Sequence, residues 1–192
     1  QRIVLLKMSG WEPQRVDIGT FNGIRFLNTV GFGFDAVLTQ FVKAENQKLP
    51  GYSAYVAGFL KELPRFKSFS TVATIDNRKR VEEENTFIAL VANGGYYGGQ
   101  LRIVPHADVT DGELDLLLVQ RMNCPETSIV AIRAFFRSHL SHRAFFTAPC
   151  REVTISAGDD IPVQIDGELL GSLPAKVTVQ PGALSILAPS IS

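Results

Sequence analysis

Apolar residues recur along this chain with two different periods, and the periods predict where helices give way to strands. Phe34, Val37, Leu38, Phe41 and Val42 return at intervals of three and four, the spacing of one helical face. Tyr52, Tyr55, Val56, Phe59, Leu60 and Leu63 repeat the pattern, with Pro50-Gly51 before them and Pro64 closing the helix. A third helix is predicted after Pro125, which suits a first helical turn. Its apolar stripe is Ile129, Ile132, Phe136 and Leu140, with Arg133 and Arg137 one turn apart on another face.

Strands account for most of the rest. Residues 86–92 and 114–119 are almost unbroken apolar runs, the mark of strands covered on both faces. The last third alternates instead: Val153 and Ile155, Val163 and Ile165, Val177 and Val179, Leu184 and Ile186. Turn residues separate these pairs at Gly158-Asp159, Asp166-Gly167 and Pro181-Gly182. The pattern predicts an α+β fold, predominantly β: an antiparallel β-sandwich with about three helices packed beside it. Residues 1–192 read as a single β-rich domain without internal repeats, low-complexity tracts or a linker.

Composition narrows the functions available. With 45% apolar and 20% charged residues, the chain can bury a full core. Lysine plus arginine equals aspartate plus glutamate at 19 each, so there is no general cationic surface and no nucleic-acid partner is expected. Cys124 and Cys150 have neither metal-site nor redox spacing, which favours a reducing compartment. No apolar run is long enough to span a bilayer, and the chain opens on the strand-like Ile3-Val4-Leu5-Leu6 without a leader. A cytoplasmic location follows as the expectation.

Four segments could carry chemistry. In Pro105-His106-Ala107-Asp108-Val109-Thr110-Asp111-Gly112-Glu113-Leu114-Asp115, four carboxylates lie within eight residues. A tight loop could aim oxygen donors at Mg²⁺ or Ca²⁺, or Asp111-Gly112 could be the turn of an ordinary hairpin. Asp166-Gly167-Glu168 follows an alternating strand and offers either a proton acceptor or another Asp-Gly hairpin. The glycine-rich stretch from Asn93 through Gly94 to Gly98 and Gly99 allows close backbone approach to a ligand, although it lacks the lysine of a P-loop. Asp35 enters the first helix, where an acid facing the helix dipole is commonplace. The aromatic and basic run Phe135, Phe136, Arg137, His139, His142, Arg143, Phe145 and Phe146 could touch a membrane surface or serve as core and solvated face.

The order of these segments resembles the second domain of the soluble bacterial diacylglycerol kinases, a family that includes the sphingosine and ceramide kinases. The resemblance rests on Arg15-Val16-Asp17-Ile18-Gly19, on Phe26-Leu27-Asn28 leading to Gly31-Phe32-Gly33-Phe34-Asp35-Ala36, on the Asn93 to Gly99 and Pro105 to Asp115 loops, and on Asp166-Gly167-Glu168. It implies an ATP-dependent kinase that phosphorylates the hydroxyl of diacylglycerol or a related lipid. The Gly-Gly-Asp-Gly-Thr loop that holds ATP in the family is absent here, so the chain resembles the substrate-side half and is expected to be inactive alone. The family pattern implies Asp166 as general base and Glu168 as its essential acidic neighbour, with Asn93, Gly94, Gly98 and Gly99 shaping the cofactor-side loop. Asp111, with the backbone carbonyls of Asp108 and Glu113, would hold a structural Mg²⁺. Gln100 and His106 depart from the family pattern; neither removes an implied ligand, and Gln100 puts the detailed shape of the glycine loop in doubt.

The implied partners are a diacylglycerol-like lipid and the inner membrane face, with a homodimer also possible. The helices bearing Phe34, Phe41, Tyr55 and Phe59 could line an apolar channel, and core packing would account for the same residues. Two alternatives stay open: a kinase with a soluble acceptor such as NAD, and a non-enzymatic β-sandwich that binds a cation.

Overall fold

A computed structural model describes residues 11–45, 52–97, 101–158 and 161–189. The described strands are β1 (Trp11–Phe21), β2 (Ile24–Phe26), β3 (Thr29–Gly33), β4 (Phe69–Ile75), β5 (Lys79–Ala92), β6 (Tyr96–Tyr97), β7 (Leu101–Arg102), β8 (Leu114–Gln120), β9 (Phe145–Cys150), β10 (Glu152–Ala157), β11 (Val163–Ile165), β12 (Glu168–Leu169) and β13 (Ala175–Pro189). The described helices are α1 (Phe34–Glu45), α2 (Tyr52–Glu62) and α3 (Cys124–Phe135). Every interstrand pairing is antiparallel.

The sheet curls because β5 is long enough to serve two neighbourhoods. Its first part pairs with β4, whereas residues 88–92 lie between β3 on one side and β8 on the other. From β3 the sheet continues through β11 to β12, and from β4 through β10, β13 and β1 to β2. This closes a sandwich whose core includes Phe21, Phe32, Val91, Leu116, Val153 and Val177.

As the unbroken apolar runs predict, β5 and β8 are covered on both faces. Leu114, Leu116 and Leu118 face the sandwich core. Leu117 and Val119 join a second core with Phe34, Phe87, Leu90 and Val130, under the helices. A strand has only two faces, so alternate residues of β8 fill two separate compartments.

α3 corrects one expectation. Asn123 caps it by accepting a hydrogen bond from the Glu126 N–H at 2.8 Å, and Pro125 occupies its first turn. Its inward face is Thr127, Val130 and Ala134, not the larger stripe read from the sequence. Ile129, Ile132 and Phe136 remain 60%, 61% and 78% exposed. The small and mid-sized residues of this face meet the helix-side core and the space beneath the helices, and the bulkier side chains turn outward. The aromatic and basic run after α3 is divided in the same way. His139 is buried, Phe145 and Phe146 pack against different cores, and Phe136, Arg137 and Arg143 stay outside.

Leu117→Ala is expected to cost about 2–5 kcal/mol, because a fully buried leucine leaves both its transfer energy and a cavity. Ile129→Ala should change stability by only about 0.5 kcal/mol, as expected for an exposed site. Urea unfolding of both variants tests the assignment of faces; equal losses would contradict it.

Candidate functional site

The β11–β12 connection is a two-residue turn in which Asp166 (φ 47°) and Gly167 (φ 84°) both take positive φ. Such a turn matches the twist of the strands it joins, and aspartate followed by glycine tolerates it well. The exposed Asp166 carboxylate accepts three backbone N–H groups: Leu27 at 2.6 Å on Oδ2, and Asn28 and Thr29 at 2.9 Å each on Oδ1. Its own N–H donates to the Thr29 carbonyl at 2.9 Å. A carboxylate has about four acceptor positions, so one on Oδ2 remains for another donor. Glu168 begins β12, stays exposed and pairs with Lys43 of α1.

Gln164 connects this turn to the interior. It is 1% exposed, and its Oε1 accepts the Gly167 N–H at 2.7 Å while its Nε2 donates to Asp35 Oδ2 at 2.8 Å. The Tyr97 hydroxyl donates to Asp35 Oδ1. Gly31 makes this arrangement possible: a Cβ there would lie 1.5 Å from Asp35 Oδ2 and displace the acid. Burial pushes the Asp35 carboxyl up to about 6, with the Tyr97 and Gln164 hydrogen bonds pulling the other way.

Asp35 lies in the wall of a cavity of ≈ 380 Å³ beneath the helices. Phe34, Leu38, Phe59, Leu90, Val119 and Val130 make the wall apolar. Tyr55 also lines it, so three of the four aromatics singled out by the sequence do; Phe41 does not. His139 adds a buried imidazole whose Nε2 bonds the Ile103 carbonyl at 2.8 Å, leaving Nδ1 without a hydrogen-bond partner among the described residues. Burial lowers the His139 pKa. Asp166 and Glu168 are not part of the cavity wall; Gln164 bridges the two regions.

Asn93 is buried and organises its loop from within. Its Nδ2 donates to the Leu27 and Asp17 carbonyls at 2.8 and 3.0 Å, and its N–H to the Asn28 carbonyl at 2.8 Å. The Gly94 N–H reaches the same Asn28 oxygen at 3.2 Å, so this loop and the Asp166 turn share one anchor. Gly98 and Gly99 lie outside the described residues.

The acidic loop is not an Asp-Gly hairpin of the β11–β12 kind, since only Gly112 has positive φ. Asp108 Oδ1 accepts from the Thr110 N–H and hydroxyl at 2.9 and 2.7 Å, and Asp111 Oδ1 from the Glu113 N–H at 2.9 Å. Buried Asp17 fastens the loop, accepting the Gly112 N–H at 2.7 Å and the Gly182 N–H at 2.6 Å. Asp115 turns away to His106 at 3.1 Å, and burial raises its pKa. Among the described residues, no three or more His, Cys, Asp or Glu side chains are grouped to hold a metal ion. The set the resemblance implies, Asp111 with the carbonyls of Asp108 and Glu113, would offer one carboxylate and two backbone oxygens. Those hard donors suit Mg²⁺ with water completing its shell.

Residues 28–188 match the family model described as the YegS C-terminal NAD kinase beta sandwich-like domain. The chain belongs to that family. A diacylglycerol kinase of Bacillus subtilis (strain 168) is 26% identical over 161 residues, covering 84% of this chain and 52% of its own length. A diacylglycerol kinase of Mycobacterium tuberculosis (strain ATCC 25618 / H37Rv) is 28% identical over 188 residues, covering 95% and 59%. A crystal structure from Bacillus anthracis str. Sterne, provisionally named a diacylglycerol kinase, has a TM-score of 0.71 at 25% identity, covering 94% of this chain and 59% of that one. The chain thus spans about half the length of the curated relatives it matches.

Three members of the site were not singled out from the sequence: Gln164, Lys43 and Tyr97. Gln164 had left a usable signal, being polar within the otherwise apolar Val163-Gln164-Ile165, where all three residues are buried. A polar group in that position needs an internal partner.

Because folding raises the Asp35 pKa from 3.8 to about 6, the folded state binds its proton more tightly. Its contribution to stability is therefore present below pH 4 and lost as pH rises through about 6, a change of ~3 kcal/mol. Urea unfolding from pH 4 to 7 should show the parent losing stability relative to Asp35→Asn. A pH-independent difference between the two would contradict the assignment.

Proposed function

We propose that this chain is the acceptor-side half of an ATP-dependent lipid kinase acting on diacylglycerol or a similar hydroxyl lipid. The observation that carries this reading is an apolar cavity whose buried acid, Asp35, is hydrogen-bonded through Gln164 to the turn bearing Asp166 and Glu168. The apolar wall favours an acyl chain over a soluble, charged acceptor such as NAD. Membership of the family and the names of its relatives support phosphoryl transfer.

In this reading the lipid hydroxyl oxygen attacks the γ-phosphorus, the bond to the departing ADP breaks, and a carboxylate takes the hydroxyl proton. The remaining acceptor position on Asp166 Oδ2 gives the general base its place, held rigidly by residues 27–29. Glu168, on the same turn, adds negative charge beside it and is tethered by Lys43. ATP is held mainly by a second, nucleotide-binding half, with the glycine-rich loop from Asn93 at the junction. Asp111 with the Asp108 and Glu113 carbonyls would hold a Mg²⁺, which would supply structural order to the acidic loop.

Full-length protein carrying both halves should phosphorylate a diacylglycerol in mixed micelles and leave NAD untouched, while the 192-residue chain alone turns over neither. Phosphorylation of NAD with none of the lipid would overturn the reading. Glu168→Gln should lower the rate about 10²–10⁴-fold without moving Tm. Asp166→Asn should also lose activity, but with a stability loss of about 1–3 kcal/mol, since an amide NH₂ cannot accept the N–H groups its oxygen accepted. Asp166→Asn with a parental rate would remove that residue from the base role.

Adding Mg²⁺ should raise the Tm of the parent chain, because an ion bound only by the folded state stabilises it. Asp111→Ala should abolish that rise. No shift in the parent would leave the acidic loop without a metal.

A further inference from the structure

β11 turns Val163 and Ile165 into the sandwich core, and the residue between them faces the other way. Gln164 is therefore a polar side chain sent into the helical side of the sheet, where it is buried. Its Nε2 faces two acceptors, Asp35 Oδ2 at 2.8 Å and Thr29 Oγ1 at 3.5 Å. Its Oε1 faces a donor, the Gly167 N–H at 2.7 Å. An amide has a donor end and an acceptor end, so these partners fix which way it points. Turned over, it would set an oxygen against the Asp35 carboxylate and an NH₂ against the Gly167 N–H. The backbone leaves room for this arrangement. Gln164 pairs with Gly31 of β3, where a Cβ would lie 2.8 Å from Nε2.

The bond to Gly167 lands on the residue between Asp166 and Glu168. β12 is a two-residue strand at the edge of the sheet, paired through Gln164 with Leu169 and Ile165 with Glu168. So short a ladder holds a turn weakly. Residues 27–29 fasten Asp166, and the exposed Lys43–Glu168 pair adds little. The Gln164–Gly167 bond ties the same turn to the buried side chains beneath the helices. Asp35 belongs to the cavity wall and Gln164 does not. The amide thus stands between the wall and the turn.

We propose that Gln164 is a positioning residue for phosphoryl transfer, an amide strut that sets the Asp166–Glu168 turn at a fixed distance from Asp35 and the cavity. The inference deepens the lipid-kinase reading and rests on it for its purpose, while the hydrogen bonds give its location. Phosphoryl transfer depends on holding the attacking oxygen, its proton acceptor and the phosphorus in one geometry. In that reading the cavity places the lipid and the turn places the proton acceptor. Gln164 keeps the two aligned; it touches neither reacting atom and acts through the turn.

Steady-state kinetics of the full-length protein test the role at pH 8, well above the value of about 6 at which Asp35 titrates. Gln164→Met fills much the same space without hydrogen bonds. It should lower kcat about 10²-fold, the cost of a small misplacement, while KM for the lipid stays within about twofold. A rise in KM with kcat unchanged would overturn the role, and so would parental kinetics. Asp35→Asn provides a background for rescue. There Gln164→Glu reverses donor and acceptor yet keeps both bonds, because an amide at position 35 donates where the carboxylate accepted. Relative to Asp35→Asn alone it should cost no more than about twofold, whereas Gln164→Met should again cost about 10²-fold. Equal losses for the two would show that the hydrogen bonds do not position the turn.

Hydrogen exchange at the Gly167 amide of the 192-residue chain reads the strut without turnover, and serves if Gln164→Met does not fold. Asp35→Ala removes the far support and leaves Gln164 in place. It should speed exchange at Gly167 at least about fivefold, the effect of losing one hydrogen bond's worth of protection. Unchanged exchange would mean that Gln164 does not carry the placement of Asp35 to the turn, and would overturn the proposal. Full-length protein that phosphorylates no lipid would overturn the kinase reading, whatever the exchange shows. Lipid phosphorylation by Gln164 variants at the parental rate would overturn the positioning role alone.

Discussion

Three backbone N–H groups converging on one carboxylate hold the β11–β12 end of this molecule together. Leu27, Asn28 and Thr29 are separated from Asp166 by more than 130 residues, yet their donors share its two oxygens. Charge-assisted bonds of this kind are stronger than neutral ones. Here they fix the β11–β12 turn against the start of β3. Once that turn is fixed, Gln164 can reach both Gly167 and Asp35, and Glu168 can reach Lys43. Asn28 extends the anchor, since its carbonyl takes the Asn93 and Gly94 N–H groups.

The frame behind that end is a sheet used on both sides. β5 and β8 divide their residues between a sandwich core and a helix-side core, so two compartments share one pair of strands. The sandwich core is closed by sheet alone. The helix-side core is closed by three helices, and the cavity lies there. A cavity on the helical side leaves the hydrogen-bonded ladders of the sandwich uninterrupted, and the sheet carries the Asp166 turn beside it.

How much of this the sequence disclosed depends on the range of the interactions. Periodicity predicted α1, α2 and the two-sided strands, because one residue's neighbours in its own element largely decide them. It predicted α3 but chose the wrong face. Ile129, Ile132 and Phe136 form as good a stripe as Val130 and Ala134, and only the way the helix sits over the helix-side core separates them. The turn at Asp166-Gly167 was legible as a turn. Its fastening to residues 27–29 was not, because nothing local to either segment records the other. Asp17 is a similar case: a motif residue in the sequence, and in the fold a buried tie between the acidic loop and Gly182.

Gly31 shows how an acid can be located by what its neighbour lacks. The Asp35 carboxylate occupies the space that a methyl group on Gly31 would need. That socket constrains inheritance as well as geometry. Drift at position 31 toward alanine evicts the acid, so lineages that adapt the cavity to other occupants can reshape its walls more freely than its polar end. Diversity should therefore gather among the helices while the glycine opposite the acid persists.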